Sequence, residues 1–247
     1  MFVTGDLHGN HNELLLRLEL YNEYNENHSD THDTILICGD AGLEYGDHIH
    51  GQMKKTMRNS GYTFIILRGN HDNRYCADHL GQEGWHTEEW CGTTVTVQDK
   101  YPNIKYLSDA GGTFTYNGKK CLYIPGAYSI DKFYRIMRGW SWREDEQLTF
   151  EEMNVIGQLA EMEKFDAVFS HTAPKVWEEW FDYLFIQGIN QSNIDKHTEH
   201  FLNQVMFNIM RNGGNCDWYF GHFHGDIDHE CDGNIHAHML YKDFKII

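Results

Sequence analysis

Two residue pairs and three single positions in this sequence offer side chains suited to holding metal ions. Asp6 and His8 stand two apart in Gly5-Asp6-Leu7-His8-Gly9-Asn10, and in an extended segment residues i and i+2 face the same side. His222 and His224 repeat that spacing in Gly221-His222-Phe223-His224-Gly225. Between them lie Asp40 in Gly39-Asp40-Ala41-Gly42, Asn70 in Gly69-Asn70-His71-Asp72, and His171 in Ser170-His171-Thr172. Carboxylate, imidazole and amide oxygen together suit a borderline dication. Singly, most of these blocks are weak. A lone Gly-Asp after a strand is usually a turn, and one histidine at a strand end is more often structural than a ligand. Gly69-Asn70-His71-Asp72 is sharper, because the asparagine oxygen can ligate while the adjacent His71 serves as a proton donor.

The elements that must position these residues follow from the apolar runs. Residues 1–4, 33–38, 62–67, 166–169 and 217–220 read as buried strands, and each stops at one of the polar blocks. Helical spacing appears over 13–24, with Leu14, Leu15, Leu18 and Tyr21 on one side, and helices are also predicted at 52–60, 144–164 and 194–210. Strand, helix, strand, helix, strand in this order argues for parallel βαβ units. Sites in open α/β sheets form outside the carboxyl ends of the strands. The five strand ends would therefore bring Asp6, Asp40, Asn70, His171 and His222 to one rim. The middle of the chain differs. Short alternating runs at 93–97, 105–107, 113–116 and 120–124, with an Asn117-Gly118 turn, predict antiparallel strands. Residues 235–247 read as one or two closing strands. The stretch 128–142 lacks a simple period and is expected to be a loop.

Bulk properties narrow the function. A length of 247 residues without a linker-like segment predicts one domain over 1–247. The formal charge of −17 repels long nucleic acids, which bind through phosphate neutralisation. A small phosphate ester, a nucleotide or a phosphopeptide is easier to accommodate, provided that metals supply local positive charge. The first residues lack a signal peptide's basic and apolar regions, and no run approaches the ~18 apolar residues of a membrane span. Six cysteines are scattered without CxxC spacing, so the expectation is a reduced, cytoplasmic protein without disulfides, with Cys38 and Cys121 buried. Among the 17 histidines, His11, His28, His32, His48 and His50 lie in polar surroundings and are expected at the surface.

In order and context the blocks resemble the calcineurin-like metallophosphoesterase family, whose pattern is DxH, GD, GNH followed by Asp or Glu, H, and GHxH. All five are intact and span residues 5 to 225. The resemblance implies a four-layer α/β/β/α sandwich of two mixed sheets flanked by helices. It implies two divalent metal ions, one held by Asp6, His8 and His224, the other by Asn70, His171 and His222, with Asp40 bridging both. Manganese is the first choice, with iron or zinc as alternatives. Two such ions ~3.5–4 Å apart can share a hydroxide that attacks phosphorus and can clamp the phosphoryl oxygens. His71 would protonate the leaving oxygen, and Asp72 would orient a ring or loop or form a plain salt bridge.

The resemblance thins in places. Phosphoprotein phosphatases of the superfamily read GDxVDRG at the second block, whereas this chain has Leu43 in place of the Asp and Glu44 in place of the Arg. Phosphate binding would fall to other arginines: Arg74, just after the third block, or Arg135 and Arg138 in 128–142, a stretch similar to a loop of prophage-type bacterial members. The alternative there is aromatic packing with solvated arginines. Trp177, Trp180, Phe181 and Tyr183 either cap the site or, as is commoner for aromatics, fill the core. The leading reading is a phosphatase. A phosphodiesterase or nuclease of the same superfamily is the alternative, with the acidic balance against it. A non-enzymatic metal-holding scaffold would fit loss of His71 or of a ligand, and neither is lost.

Overall fold

The computed structural model describes residues 1–24, 33–43, 48–140, 142–178, 180 and 195–247. β1 (Phe2–Thr4), α1 (His11–Tyr24), β2 (Thr34–Ile37), α2 (His48–Asn59) and β3 (Thr63–Ile66) follow one another as βαβ units. Next come α3 (Tyr75–His79), β4 (Trp85–Trp90), β5 (Thr93–Gln98) and β6 (Ile104–Tyr106). A hairpin of β7 (Gly112–Tyr116) and β8 (Lys119–Ile124) leads into α4 (Lys132–Arg138) and α5 (Phe150–Met162). Its turn is Asn117-Gly118, both at positive φ (49° and 79°), the backbone that matches strand twist. β9 (Ala167–Ser170), α6 (His197–Arg211), β10 (Cys216–Phe220), β11 (Ile227–Cys231), β12 (Ile235–Met239) and β13 (Phe244–Ile246) complete the chain.

The strands form two mixed sheets, one in the order β13-β1-β2-β3-β6-β5-β4 and the other β11-β12-β10-β9-β8-β7. Alternation along each central strand divides the core into three. Val3, Leu36 and Ile65 meet Cys121, Phe169 and Tyr219 between the sheets. Their neighbours Phe2, Ile35 and Phe64 face the other way, under Leu14 and Leu18 of α1 and Met57 of α2. Val168, Trp218 and Phe220 lie under Ile156 of α5 and Leu202 and Val205 of α6. Helix, sheet, sheet, helix is thus the layer order, as expected, and each such buried apolar side chain stabilises the fold by about 1.5–3 kcal/mol. Register sets the rim: Thr4 pairs with Ile37 and Ile37 with Ile66, while Phe220 pairs with Ser170. The parallel strands therefore end level with one another in each sheet.

Several expectations change. The helix predicted from residue 144 starts at Phe150, where Thr149 and Glu152 form a capping box. Before it, Glu146 and Leu148 turn inward instead. The stretch read as a loop contains α4, closed by Gly139 in the left-handed region (φ 67°). β4 and β11 are strands that the pattern missed. His11 is buried, with Nδ1 2.9 Å from the Gly9 carbonyl, not at the surface. His28 and His32 lie outside the described residues, as do Phe181 and Tyr183, and the side chains of His48 and His50 are not described. Trp177 is core and stacks on Trp180. All six cysteines are free thiols, with Cys38 and Cys121 buried. Among the described residues no helix is long and apolar enough to cross a membrane.

Candidate metal centre and active site

The loops leaving β1, β2 and β3 meet those leaving β9 and β10 at the seam between the sheets. Leu7 and His8 donate their backbone N–H groups to the Asp40 carbonyl (3.2 and 2.8 Å), clipping the first loop to the second. Gly221 N–H donates to the His171 carbonyl (3.0 Å), joining the loops of the other sheet. Contacts cross the seam, among them His222 N–H to Asp6 Oδ2 at 2.6 Å and His171 Nδ1 to the Cys38 carbonyl at 2.8 Å. So close a meeting needs bare backbone. A Cβ on Gly39 would stand 2.1 Å from His171 Nδ1, and one on Gly221 would stand 2.3 Å from Asp6 Oδ2. Four of the seven ligand-type residues hold left-handed backbone: His8 (φ 43°), Asp40 (50°), His222 (68°) and His224 (52°). Such conformations are uncommon outside glycine, cost about 1–3 kcal/mol each and cluster at functional sites.

All seven residues expected to ligate converge here. Donor atoms of Asp6, His8 and His224 lie within 4.8 Å of one another, and so do those of Asp6, Asp40 and His171. Asp6 thus belongs to both groups, where the resemblance implied a place at one ion. Asp40 is central, its Oδ2 3.9 Å from His8 Nε2, 3.8 Å from His71 Nε2 and 3.6 Å from His171 Nε2. Asn70 Oδ1 lies 2.7 Å from His171 Nε2 and 3.2 Å from His222 Nδ1.

The donor chemistry fits cations. The Cys38 carbonyl can only accept, so the proton of a neutral His171 sits on Nδ1. Its Nε2 lone pair then points at Asn70 Oδ1, a second acceptor. His8 Nε2 and His224 Nε2, 2.9 Å apart, share at most one proton between them when both rings are neutral. Asp6 Oδ1 is buried and has no hydrogen-bond partner among the described residues. Burial pushes the pKa values of His171, His222, His8 and His224 below the ordinary imidazole range, favouring the neutral rings that ligate. Burial, then the Asp40 charge, pushes Asp6 well up. A bound dication would reverse that penalty.

The remaining expected residues separate. His71 is partly exposed, beside Asp40 at the cleft, and Arg135 Nη1 stands 3.3 Å from its Nε2. Asp72 is buried and makes no bond to the His71 ring; its oxygens accept from Gly69 N–H and the Tyr75 hydroxyl, both at 2.9 Å. Burial, then the charge of Asp40, raises its pKa to about 7. Arg74 is turned away, bound to Glu152 at 2.6 Å and Asp145 at 3.1 Å. Arg138 is exposed on α4 over the Tyr134 ring. A cleft of about 280 Å³ opens above the ligands, walled by Ile130, Asp131, Lys196 and Phe223. Lys196 had no signal in the sequence; its ammonium is held by both oxygens of Glu178 at 3.0 and 2.9 Å.

Residues 1–226 match the family model described as calcineurin-like phosphoesterase. No curated protein matches in sequence. A solved crystal structure 13% identical aligns over 96% of this chain and 88% of its own, with a TM-score of 0.52, a likeness of fold. Phosphopantetheinyl hydrolase (PptH) from Mycobacterium tuberculosis is 14% identical over 98% of this chain and 89% of its own, with a TM-score of 0.47. An archaeal phosphodiesterase is 11% identical over 97% and 82%, with a TM-score of 0.36.

Proposed function

The chain belongs to the calcineurin-like phosphoesterases, and on that premise we propose that it is a phosphatase for small phosphate monoesters, nucleotides or phosphopeptides. The observation behind the metal dependence is the pair of facing acceptors at His171 and Asn70, 2.7 Å apart, which a cation would reconcile. Asp6, His8 and His224 would hold one ion, Asn70, His171 and His222 the other, with Asp40 between them. Manganese suits this mixture of imidazole, carboxylate and amide donors, with iron or zinc as alternatives. The bound ions would acidify a water and neutralise phosphoryl charge.

The chain's own residues do the rest. His71, at the cleft beside Asp40, gives a proton to the leaving oxygen. Arg135 takes a phosphoryl oxygen and favours a dianionic monoester over a diester, whereas the charge of Lys196 on the cleft wall is balanced by Glu178. Asp72 acts as a positioning residue, holding the loop of Asn70 and His71 by its backbone. Arg74, engaged with Glu152, and Arg138, exposed on α4, have no part in this reading. A core shared between the two sheets fits a single domain over 1–247, and six free thiols fit the cytoplasm.

The test is hydrolysis of para-nitrophenyl phosphate and bis-para-nitrophenyl phosphate by metal-stripped protein resupplied with manganese. Restored activity mainly on the monoester supports the phosphatase reading. Activity mainly on the diester replaces it with a phosphodiesterase.

A further inference from the structure

We propose that Ser129 and Glu146 form a polarised hydrogen-bond relay that sets the orientation of the Asn70 amide and thereby the affinity of one metal position. This rests on the reading of Asn70 as a metal ligand. Glu146 is a carboxylate only 2% exposed, beneath the site, in a segment the sequence suggested was helix. A buried carboxylate is costly unless donors meet it. Three do: Ser129 N–H at 2.9 Å, Ser129 Oγ at 2.5 Å and Trp142 Nε1 at 2.7 Å.

The direction of the chain of bonds follows from what each group can do. A carboxylate only accepts, so the Ser129 hydroxyl spends its one proton on Glu146. Only lone pairs remain for Asn70, which must present its Nδ2, 2.7 Å away. Asn70 Oδ1 is thereby turned toward His171 Nε2 and His222 Nδ1. The two ends of an asparagine amide are nearly alike in shape. Flipped, the NH2 group would face the imidazoles and repel a cation. The relay is also closed on itself. Arg68, two residues before Asn70, donates Nη1 to the Glu146 carbonyl at 2.8 Å. Both ends of the relay are therefore tied to the loop that bears the ligand. Partners that orient a ligand in this way are typically worth about 10–100-fold in metal affinity.

Calorimetric titration of metal-stripped protein with manganese chloride, with bound metal counted after gel filtration, tests this on wild type, Ser129→Ala, Glu146→Gln and Asn70→Ala. Wild type is expected to bind two ions. Ser129→Ala and Glu146→Gln should weaken one ion by about 10–100-fold and leave the other unchanged. Melting of the metal-free proteins checks folding, and the nearly isosteric Glu146→Gln decides the matter if Ser129→Ala does not fold. Wild-type affinities for both ions in the relay variants, with one ion lost in Asn70→Ala, would overturn the relay and leave the ligand assignment standing. Equal weakening of both ions would also overturn it, as a general loosening. Two ions at wild-type affinity in Asn70→Ala would remove the ligand assignment beneath it.

Discussion

Arg135, on the short helix α4, sets its guanidinium 3.3 Å from Nε2 of His71, with Asp131 3.9 Å from the same Nη1. A guanidinium can only donate, so Nε2 accepts in this contact. In the proposed reading, the guanidinium bonds a phosphoryl oxygen instead when a phosphate ester occupies the cleft. Arg135→Ala is therefore predicted to lower kcat/KM on para-nitrophenyl phosphate by about 10–100-fold, the value of one charge-assisted bond. Metal content should not change. Arg135→Lys should recover only part of the loss, because lysine lacks the planar fork. Steady-state kinetics with metal analysis measures both, and wild-type kcat/KM in Arg135→Ala would remove the residue from phosphate binding.

His71→Asn should keep both metals. It should lose about 10²–10⁴-fold in turnover on phenyl phosphate, whose leaving oxygen needs a proton. The loss should be smaller on para-nitrophenyl phosphate, a better leaving group. Equal losses on the two esters would show that His71 is not the proton donor.

Asp40→Asn should weaken both metal positions, because Asp40 Oδ2 lies within 4 Å of His8 and of His171. Metal counting after dialysis against limiting manganese reads this directly. A variant that loses one ion and holds the other at wild-type affinity would place Asp40 on a single ion.

Gly221→Ala forces a methyl group to within 2.3 Å of Asp6 Oδ2. The Asp6 carboxylate must swing away, and its bond from His222 N–H must lengthen. Metal uptake should fall while the far-ultraviolet circular dichroism stays close to wild type. Unchanged uptake would mean that the loop gives way without moving Asp6.

Glu199 supplies a pH signature away from the ligands. It is buried on α6, one oxygen accepting Tyr128 N–H at 3.1 Å and the other without a hydrogen-bond partner among the described residues. Burial raises its pKa from an ordinary 4.5 to about 7. The folded state thus binds the proton more tightly than the unfolded chain. Its contribution to stability is complete below pH 4.5, fades as pH rises toward 7, and is absent above that. At about 1.4 kcal/mol per tenfold change in proton affinity, ionisation costs the fold on the order of 3 kcal/mol. Glu199→Gln should therefore gain stability relative to wild type as pH rises through that window and hold the gain above it. A difference in denaturant midpoint that does not vary from pH 5 to 8 would refute this.

Much of the site was legible because central parallel strands are buried on both faces and read as unbroken apolar runs. Asp6, Asp40, Asn70, His171 and His222 could be placed at strand ends from those runs alone. What stayed hidden depends on contacts far apart in sequence. Arg74 followed the third block closely enough to suggest phosphate binding, but Glu152, 78 positions later, holds it. α4 carries Phe133, Ile136 and Met137 at helical spacing, but it is only seven residues long and turns those side chains to solvent, so no core-facing stripe marked it off from the surrounding loop. Residues 144–149 had helical composition, yet Glu146 turns inward to Ser129, and Thr149 opens the helix only afterwards. The left-handed backbone at His8, Asp40, His222 and His224 did not show in the sequence: aspartate and histidine are enriched in that region, but it stays uncommon for any one such residue.

The site sits on the seam, and its donors come from both sheets: Asp6, His8, Asp40 and Asn70 from one, His171, His222 and His224 from the other. In the proposed arrangement each ion is a rivet through two plates. An ion bound only by the assembled protein stabilises it by about 2.7 kcal/mol at a hundredfold excess over its Kd, and here that energy opposes one motion, the parting of the sheets. Amide exchange along β2 and β9 should therefore slow together on metal loading, while the remote β4–β5 hairpin stays unaffected. Metal occupancy would then act as a seal of quality: a chain whose plates have not yet met has nowhere to keep its ions.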